Sequence, residues 1–174
     1  QLPSLAMVVG LAVQRTLAQF DIPARLKWPN DVLVDSRKMC GTLIESVMTP
    51  GELAVIIGVG LNVNMSADDL AAVGAPATSM LIRTDREYAI PEVLDALLAQ
   101  LGPMLDQWAV AGFAPFRAEW LAGSDEMGRA VRVTAADGST LAGTITGLGA
   151  MGELLLTDPT GDLHSITEGD VTAE

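Results

Sequence analysis

The stretch RLKWPNDVLVDSRKMCGTLIE, residues 25–45, decides the fold of this chain. Two groups of turn-forming residues, Pro29-Asn30-Asp31 and Asp35-Ser36-Arg37, interrupt its apolar runs. Proline fixes its own φ angle and favours an extended residue before it, while Asn and Asp side chains hydrogen-bond locally and favour turns. The pattern therefore predicts three consecutive strands joined by two tight turns. Two lysines, Lys27 and Lys38, lie beside these turns, a combination that indicates a ligand site.

A second informative stretch, residues 53–64, changes character halfway along. Its first five residues, LAVII, are continuously apolar, which predicts a strand buried on both faces. From Gly58 onward the residues alternate, so that one face carries apolar side chains and the other carries glycine and asparagine. Glycine lets a flat ring approach the backbone, and asparagine offers a donor and an acceptor to a base edge. The residues alone leave two interpretations open, a floor for a flat ligand or a bend in the sheet.

Composition and charge exclude several classes of partner. Ten Lys and Arg residues stand against 22 Asp and Glu, which gives a formal charge of −12 that repels nucleic acid and anionic membranes. The apolar stretches at 5–13 and 53–63 are interrupted or too short to span a bilayer. The single cysteine, Cys40, cannot form an internal disulfide, which suits a reducing compartment. We therefore expect a cytoplasmic protein with neither nucleic acid nor membrane as a partner.

Helical patterns surround the predicted strands. Apolar spacing over residues 2–20 predicts a buried amphipathic helix, and residues 65–90 read as a connection with a short helical piece near Thr78 or Ser79. A long helix should begin at Pro91, and Gly102-Pro103 should kink or split it. A further helix is predicted over residues 114–121, where aromatic residues at helical spacing indicate core packing.

The last third of the chain has a different texture. From Gly128 onward, short apolar strands alternate with turn signals at a spacing of about ten residues, which predicts a small meander or barrel. The only histidine, His164, is expected on a strand or at its rim rather than as a metal ligand. With 174 residues, the chain is long enough for one domain with a small appendage.

At two places the sequence resembles the signatures of biotin protein ligases. The first is Lys27-Trp28-Pro29-Asn30-Asp31 followed by Lys38 and Gly41, and the second is IGVGLNVN at residues 57–64. The resemblance implies an α+β fold, with a mixed β-sheet flanked by helices of the class II synthetase and biotin ligase type. It assigns residues 1–124 to an N-terminally incomplete catalytic domain and residues 125–174 to a small SH3-like β-barrel.

The resemblance also implies a two-step reaction. An ATP-dependent ligase of this family joins biotin to AMP, giving biotinyl-5′-AMP, and then transfers biotin to a lysine of a biotin carboxyl carrier protein, a subunit of an acyl-CoA carboxylase. The implied cofactors are biotin, ATP and Mg²⁺. Because both reactants of the first step are anions, the site must supply positive charge.

Individual roles follow from the same resemblance. Lys38 would be the catalytic cation that bridges the biotin carboxylate and the α-phosphate, and Gly41 and Gly58 would line the biotin pocket with it. The implied ATP-binding residues are Lys27 and Asn30 at the phosphates, Asp31 at the phosphates and Mg²⁺, and Asn62 at adenine. Without the resemblance, the simplest interpretations are a solvated surface lysine, an Asx turn at Asn30-Asp31, and glycines required by packing.

The chain also departs from the family pattern. The Ser-Thr pair, pocket glutamine and glycine-arginine loop of the family have no counterparts, and the first helix is apolar from its first turn, so we expect a chain cut from something longer. Cys40 replaces a small residue, usually alanine, and is expected to pack as a small hydrophobe. Two alternatives remain, a non-catalytic module that holds a carrier domain and a lipoyl ligase relative, and the sequence leaves open a homodimer.

Overall fold

The computed structural model describes residues 2–72 and 76–174. Its helices are α1 (Leu2–Gln19), α2 (Ala67–Ala71), α3 (Met80–Thr84), α4 (Ile90–Ala111) and α5 (Arg117–Gly123), the last preceded by a 3-10 turn. The strands are β1 (Arg25–Lys27), β2 (Asp31–Val34), β3 (Arg37–Thr49), β4 (Glu52–Leu61), β5 (Ala130–Thr134), β6 (Thr140–Leu148), β7 (Leu154–Thr157), β8 (Leu163–Ile166) and β9 (Asp170–Ala173). The predicted α+β fold class is confirmed. No helix in the described ranges is long and apolar enough to cross a membrane.

The first sheet contains the strands predicted from residues 25–45. Its order is β1-β2-β3-β4, every neighbouring pair is antiparallel, and two isolated parallel bridges join it to other segments. Asp35 and Ser36 form the second turn with φ angles of 49° and 61°, a region that Asp tolerates better than most residues. α1 packs against β3 and α4, and most of its length is buried, as its apolar spacing predicted.

The prediction for residues 53–57 is wrong. Leu53 and Ile56 are 53 % and 51 % exposed, and their neighbours on the distal half of β3, Val47 and Met48, are exposed as well. A continuous apolar run resembles a buried strand, but burial also requires elements that cover both faces. β4 is the outer strand of the described sheet and lacks such cover along its distal half. The strand also ends at Leu61, three residues earlier than predicted.

Two predictions about helices need correction. The connection predicted at residues 65–90 contains α2, whose N-terminus is capped by Ser66 and Asp69 in a reciprocal capping box; residues 73–75 of this connection lie outside the described residues. α4 is continuous through Gly102 and Pro103, so the predicted split is wrong. Both residues are exposed, and water can therefore satisfy the carbonyl group that proline leaves without a donor.

The second sheet has the order β8-β7-β6-β5-β9 and is antiparallel throughout. The short strands predicted from Gly128 onward are confirmed as β5, β6, β7 and β8, and His164 lies on β8 with its Nε2 atom 2.8 Å from Asp158 Oδ2. Strand β9 was missed because only one of its four residues, Val171, is buried, which leaves no readable alternation.

The two sheets share one hydrophobic core, and the turn between β6 and β7 packs directly on α1. At this turn the carbonyl oxygen of Gly152 accepts a hydrogen bond from Trp28 Nε1 at 3.0 Å, and Arg117 Nε donates to Leu148 O at 2.7 Å. Gly152 has a φ of +90°, and a Cβ atom there would lie 2.7 Å from Met7 Sδ. Glycine is therefore required both for the turn and for the close approach to α1.

We expect Gly152→Ala to destabilise the protein more than Gly161→Ala. Both glycines have a positive φ in a turn of the second sheet, but a Cβ at Gly161 would meet no atom within 4 Å. Gly161→Ala should therefore lower the free energy of unfolding only by the cost of a positive φ for alanine, about 1–2 kcal/mol. Gly152→Ala should lose about 1–3 kcal/mol more through overpacking. Urea unfolding of both variants measures the difference, and equal losses would contradict the tight packing of this turn.

Candidate functional site

An open depression lies on one face of β3 and β4, and glycine backbone forms its floor. Gly41 stands opposite Gly60 in the antiparallel register, and Leu43 stands opposite Gly58. The depression is lined by Asn30, Lys38, Gly41, Thr42, Leu43, Gly58, Val59 and Gly60. The glycine face that the alternation predicted is therefore part of a concave surface, where backbone atoms are accessible to a flat ligand.

Lys38 reaches this depression because of a β-bulge. Val32 pairs with Cys40 and Leu33 pairs with Lys38, which leaves Met39 as an extra residue on β3. Residues three positions apart on a regular strand point to opposite faces, whereas a bulge shifts the alternation by one residue. As a result Met39 and Cys40 are both buried, and Lys38 lies on the same face as Gly41.

The ammonium group of Lys38 is paired with Asp31. Nζ lies 2.5 Å from Asp31 Oδ1, and the two side chains are 47 % and 19 % exposed. Oδ1 is buried and has no well-aligned hydrogen bond within the described part of the chain, so the contact is an ion pair. The pair therefore places a half-exposed ammonium in direct contact with a mostly buried carboxylate.

Gly41 makes the room that this lysine occupies. A Cβ atom at position 41 would lie 2.8 Å from Lys38 Cε and 2.9 Å from Nζ. Those distances are shorter than carbon and nitrogen atoms tolerate, so any side chain at this position would displace the lysine. Gly60 is different, since its nearest neighbour would be Gly41 O at 3.6 Å.

The backbone of Lys38 is held on both sides. Its N–H donates to Pro76 O and its carbonyl accepts from Thr78 N, both at 2.9 Å, while β2 pairs with the other edge of the strand. Asn62 supports the same segment, because its Nδ2 atom donates to Thr78 O at 3.0 Å. Asn62 thus follows the end of β4 and anchors residues near Lys38 instead of lying on the floor of the depression.

Asn30 fastens the loop between β1 and β2 to β3. Its side-chain Nδ2 atom donates to Thr42 O at 2.7 Å, and its backbone carbonyl oxygen accepts from Thr42 N at 3.0 Å. The side-chain bond crosses to another strand, which differs from a local Asx turn. This double contact places Asn30 in the lining of the depression, directly before Asp31.

Lys27 lies elsewhere and is not among the lining residues of the depression. It ends β1 opposite Asp31 in the register and is close enough to Glu126 to affect its carboxyl group. Glu126 accepts a hydrogen bond from the backbone N–H of Trp28 at 2.9 Å. Burial raises the pKa of Glu126, while the Trp28 hydrogen bond and the charges of Lys27 and Arg129 act to lower it. Sequence reasoning missed Glu126, since nothing in the local pattern marks it.

Cys40 is confirmed as a packing residue. The side chain is buried on the helix side of β3, and burial raises the pKa of its thiol to about 12. A thiol with so high a pKa is protonated at neutral pH and is a poor nucleophile.

The donor atoms at Asp31 are compatible with a magnesium ion. Among residues 2–72 and 76–174, no group of three or more His, Cys, Asp or Glu side chains could enclose a metal ion. Mg²⁺ is usually held by one or two carboxylates together with substrate phosphates and water. Asp31 is a single carboxylate of this kind, and it therefore fits Mg²⁺ that arrives with a nucleotide.

Comparison with known proteins places this geometry in a family. Residues 1–62 match the Biotin/lipoate A/B protein ligase family. A biotin--[acetyl-CoA-carboxylase] ligase of Paracoccus denitrificans is 33 % identical over 164 residues, which are 90 % of this chain and 68 % of that protein. The chain belongs to the biotin protein ligase family.

Other family members agree with this assignment. A biotin--[acetyl-CoA-carboxylase] ligase of Mycobacterium tuberculosis is 34 % identical over 174 residues, which are 96 % of this chain and 61 % of that protein. The solved structure of the biotin protein ligase of Aquifex aeolicus in complex with biotin and ATP superposes with a TM-score of 0.82 at 25 % identity. The alignment covers all of this chain and 72 % of that protein. The chain thus spans about two thirds of the length of these three relatives.

We expect Thr42→Val to stabilise this biotin ligase family member. Thr42 is buried, and its Oγ1 atom has no hydrogen-bond partner within the described part of the structure. An unpaired buried hydroxyl costs about 1–3 kcal/mol, so the apolar isostere should raise the free energy of unfolding by about 1 kcal/mol.

Thr16→Val is the matched control, because Thr16 is equally buried but donates to Ala12 O at 2.8 Å. The control should be neutral or destabilising. A loss of stability in Thr42→Val, measured by chemical denaturation, would mean that its hydroxyl does have a partner in solution.

Proposed function

We propose that the protein is an ATP-dependent biotin protein ligase that forms biotinyl-5′-AMP and transfers biotin to a lysine of a carboxylase carrier domain. One observation carries the proposal: the ammonium of Lys38 lies at a glycine-floored depression, in the space that Gly41 leaves for it. Family membership supports it, as do the names of the two relatives and the biotin and ATP bound to the Aquifex protein.

The first step requires two anions to meet. A carboxylate oxygen of biotin forms a bond to the α-phosphorus of ATP, the bond from that phosphorus to the bridging oxygen breaks, and pyrophosphate leaves. A unit charge about 4 Å from an opposite charge gains about 4 kcal/mol at an effective dielectric constant near 20, compared with about 1 kcal/mol in water. Lys38 would act through this attraction as a fixed cation that faces both the carboxylate and the phosphate, and not as a base or nucleophile.

Asp31 has two roles in this proposal. Its pairing with Lys38 holds the ammonium at the depression before substrates bind. Asp31 would also hold Mg²⁺, which when bound neutralises phosphate charge. Asn30, already anchored to β3, would orient the phosphates beside it, and Lys27 would add positive charge at the outer end of the nucleotide.

The remaining assignments concern the flat parts of the substrates. Gly41 and Gly58 would line the biotin pocket, because their missing side chains leave the backbone open to the ring system. Asn62 would lie near adenine, where its carboxamide oxygen can accept from the base while its Nδ2 atom holds Thr78 O.

In the second step the amine of an acceptor lysine attacks the acyl carbon of biotinyl-5′-AMP, and AMP leaves. The acceptor would be the carrier domain of an acyl-CoA carboxylase in the cytoplasm. We further propose that residues 1–124 form the catalytic domain, that residues 125–174 form an SH3-like domain, and that the exposed strand β4 is the surface for a homodimer.

Replacement of Lys38 by Met should slow the first step strongly while leaving the fold intact. The change removes the charge and keeps the length of the side chain, and loss of one preorganised electrostatic contact typically slows a reaction about 10²–10³-fold. Formation of biotinyl-5′-AMP by the intact protein from biotin, ATP and Mg²⁺ is the measurement. Arg37→Met is the control, since Arg37 is an exposed cation on the same strand. Normal adenylation by Lys38→Met would refute the role of the lysine.

A calorimetric titration separates the ligase from a non-catalytic module. A ligase should bind biotin and ATP, and it should label a biotin carboxyl carrier protein. Binding of the carrier by an intact protein that responds to neither biotin nor ATP would favour the module instead.

Gly41→Ala should reduce adenylation because it displaces the Lys38 side chain. Gly60→Ala should leave the Lys38 side chain in place. Only the first substitution places a Cβ atom within 3 Å of the lysine side chain. We expect a lower kcat for Gly41→Ala, by about 10²-fold if the ammonium leaves its position, whereas Gly60→Ala should change chiefly the KM for biotin. If Gly41→Ala kept the kcat of the unchanged protein, the space at Gly41 would have no catalytic purpose.

A further inference from the structure

Trp28 lies in the loop between β1 and β2, and it donates two hydrogen bonds to acceptors in the C-terminal part of the chain. Its backbone N–H donates to Glu126 Oε2 at 2.9 Å, and its indole Nε1 donates to Gly152 O at 3.0 Å. The side chain is almost completely buried. Neither acceptor belongs to the first sheet, so the loop depends on residues more than 90 positions away for its geometry.

The segment that carries Glu126 is anchored to β1. It follows α5 in a short segment that lies along β1, where Ser124 bridges to Leu26 and Asp125 forms an ion pair with Arg25. The backbone N–H of Glu126 donates to Ser124 Oγ at 3.2 Å. This anchored backbone presents the Glu126 carboxylate to the Trp28 N–H, which donates to it at 2.9 Å.

The loop that Glu126 contacts leads directly into the candidate site. Asn30 and Asp31 come two and three residues after Trp28, and Asn30 is anchored to β3 at Thr42. The loop is therefore fixed at Trp28 from the C-terminal side and at Asn30 from the sheet side. Loss of the hydrogen bond at Trp28 would allow the backbone of residues 28–31 more conformations. The position of Asp31, and therefore its pairing with Lys38, would vary more.

We propose that Glu126 is a positioning residue that holds the loop at residues 28–31 in the geometry required for nucleotide binding, by accepting the Trp28 N–H. The inference rests on the proposed ligase function and extends it to a residue outside both ligase signatures. Glu126 is not among the residues that line the depression. It acts through the backbone of Trp28, and the indole bond to Gly152 supports the same loop from the turn between β6 and β7.

Three substitutions in the intact protein test the hydrogen bond separately from the charge. Glu126→Ala removes the acceptor, whereas Glu126→Gln keeps an acceptor oxygen and removes the charge. Asp125→Ala is the matched control, because it breaks the neighbouring exposed ion pair with Arg25 without touching Trp28.

We expect Glu126→Ala to raise the KM for ATP in biotinyl-5′-AMP formation about tenfold, a typical effect of losing a supporting contact. The KM for biotin should rise less than the KM for ATP, since Gly58 lies on β4, which pairs with β3 and not with the loop. Glu126→Gln should restore most of the affinity for ATP, and Asp125→Ala should behave as the unchanged protein. If the glutamine variant were as impaired as the alanine variant, the charge rather than the hydrogen bond would matter, and the proposal would be overturned.

Hydrogen exchange of the substrate-free protein tests the same contact without any enzymatic readout. The Trp28 amide should exchange at least about tenfold faster in Glu126→Ala, whereas amides in the middle of α1 should keep their protection. Unchanged exchange at Trp28 would overturn the positioning role even if the protein proved to be a ligase. Faster exchange together with a complete absence of adenylation by the unchanged protein would refute the ligase function and leave the contact intact.

A second variant covers the case in which Glu126→Ala does not fold. Glu126→Asp keeps the negative charge but withdraws the carboxylate from Trp28 by one methylene, and it should show the same selective increase in the KM for ATP and in Trp28 exchange. Normal values for both quantities in a folded Glu126→Asp protein would contradict the proposal.

Discussion

The candidate site depends on one irregularity in the pairing of β2 with β3. The extra residue at Met39 shifts the alternation of β3, so that Lys38 and Gly41 lie on one face while Met39 and Cys40 lie in the core. On a regular strand the lysine and the glycine would point in opposite directions. The bulge thus allows one short segment to pack two side chains into the core beside α1 and to place a cation at the open glycine surface.

Electrostatics and space act together once the bulge has placed Lys38. Asp31 balances the charge of the ammonium and limits its range of positions. Gly41 leaves the volume that the lysine side chain fills. A half-exposed cation is partly screened by water, so its attraction for an anion would increase when a substrate displaces that water. The arrangement is therefore compatible with a site whose full electrostatic effect develops only on binding.

The C-terminal part of the chain contributes to the site although it supplies none of the lining residues of the depression. Glu126 and Gly152 hold Trp28, and Gly152 is packed so closely against α1 that a side chain would not fit. Such contacts connect the second sheet to the loop that carries Asn30 and Asp31. The sequence pattern changes near residue 124, but the two sheets share one hydrophobic core. The parts of the chain on either side of this residue therefore stabilise each other.

The sequence by itself determined the local elements and most of the candidate site. Turn chemistry around Pro29 and Asp35, the alternation after Gly58 and the apolar spacing of α1 are local signals, and the structure contains the strands and the helix that they predict. The ligase signatures were likewise readable, and they brought Asn30, Lys38, Gly41 and Gly58 into one prediction that the geometry now places together. Their individual roles stay predictions.

Only the tertiary structure decided which surfaces are covered and which distant residues support the loop. Residues 53–57 carry the pattern of a buried strand and are largely exposed, since a pattern records hydrophobicity but not the presence of a covering element. The bulge at Met39 and the contact of Glu126 with Trp28 have no local signature, because each arises from pairing between segments that are separate in the chain. Long-range register and packing therefore determined how the predicted residues became a site.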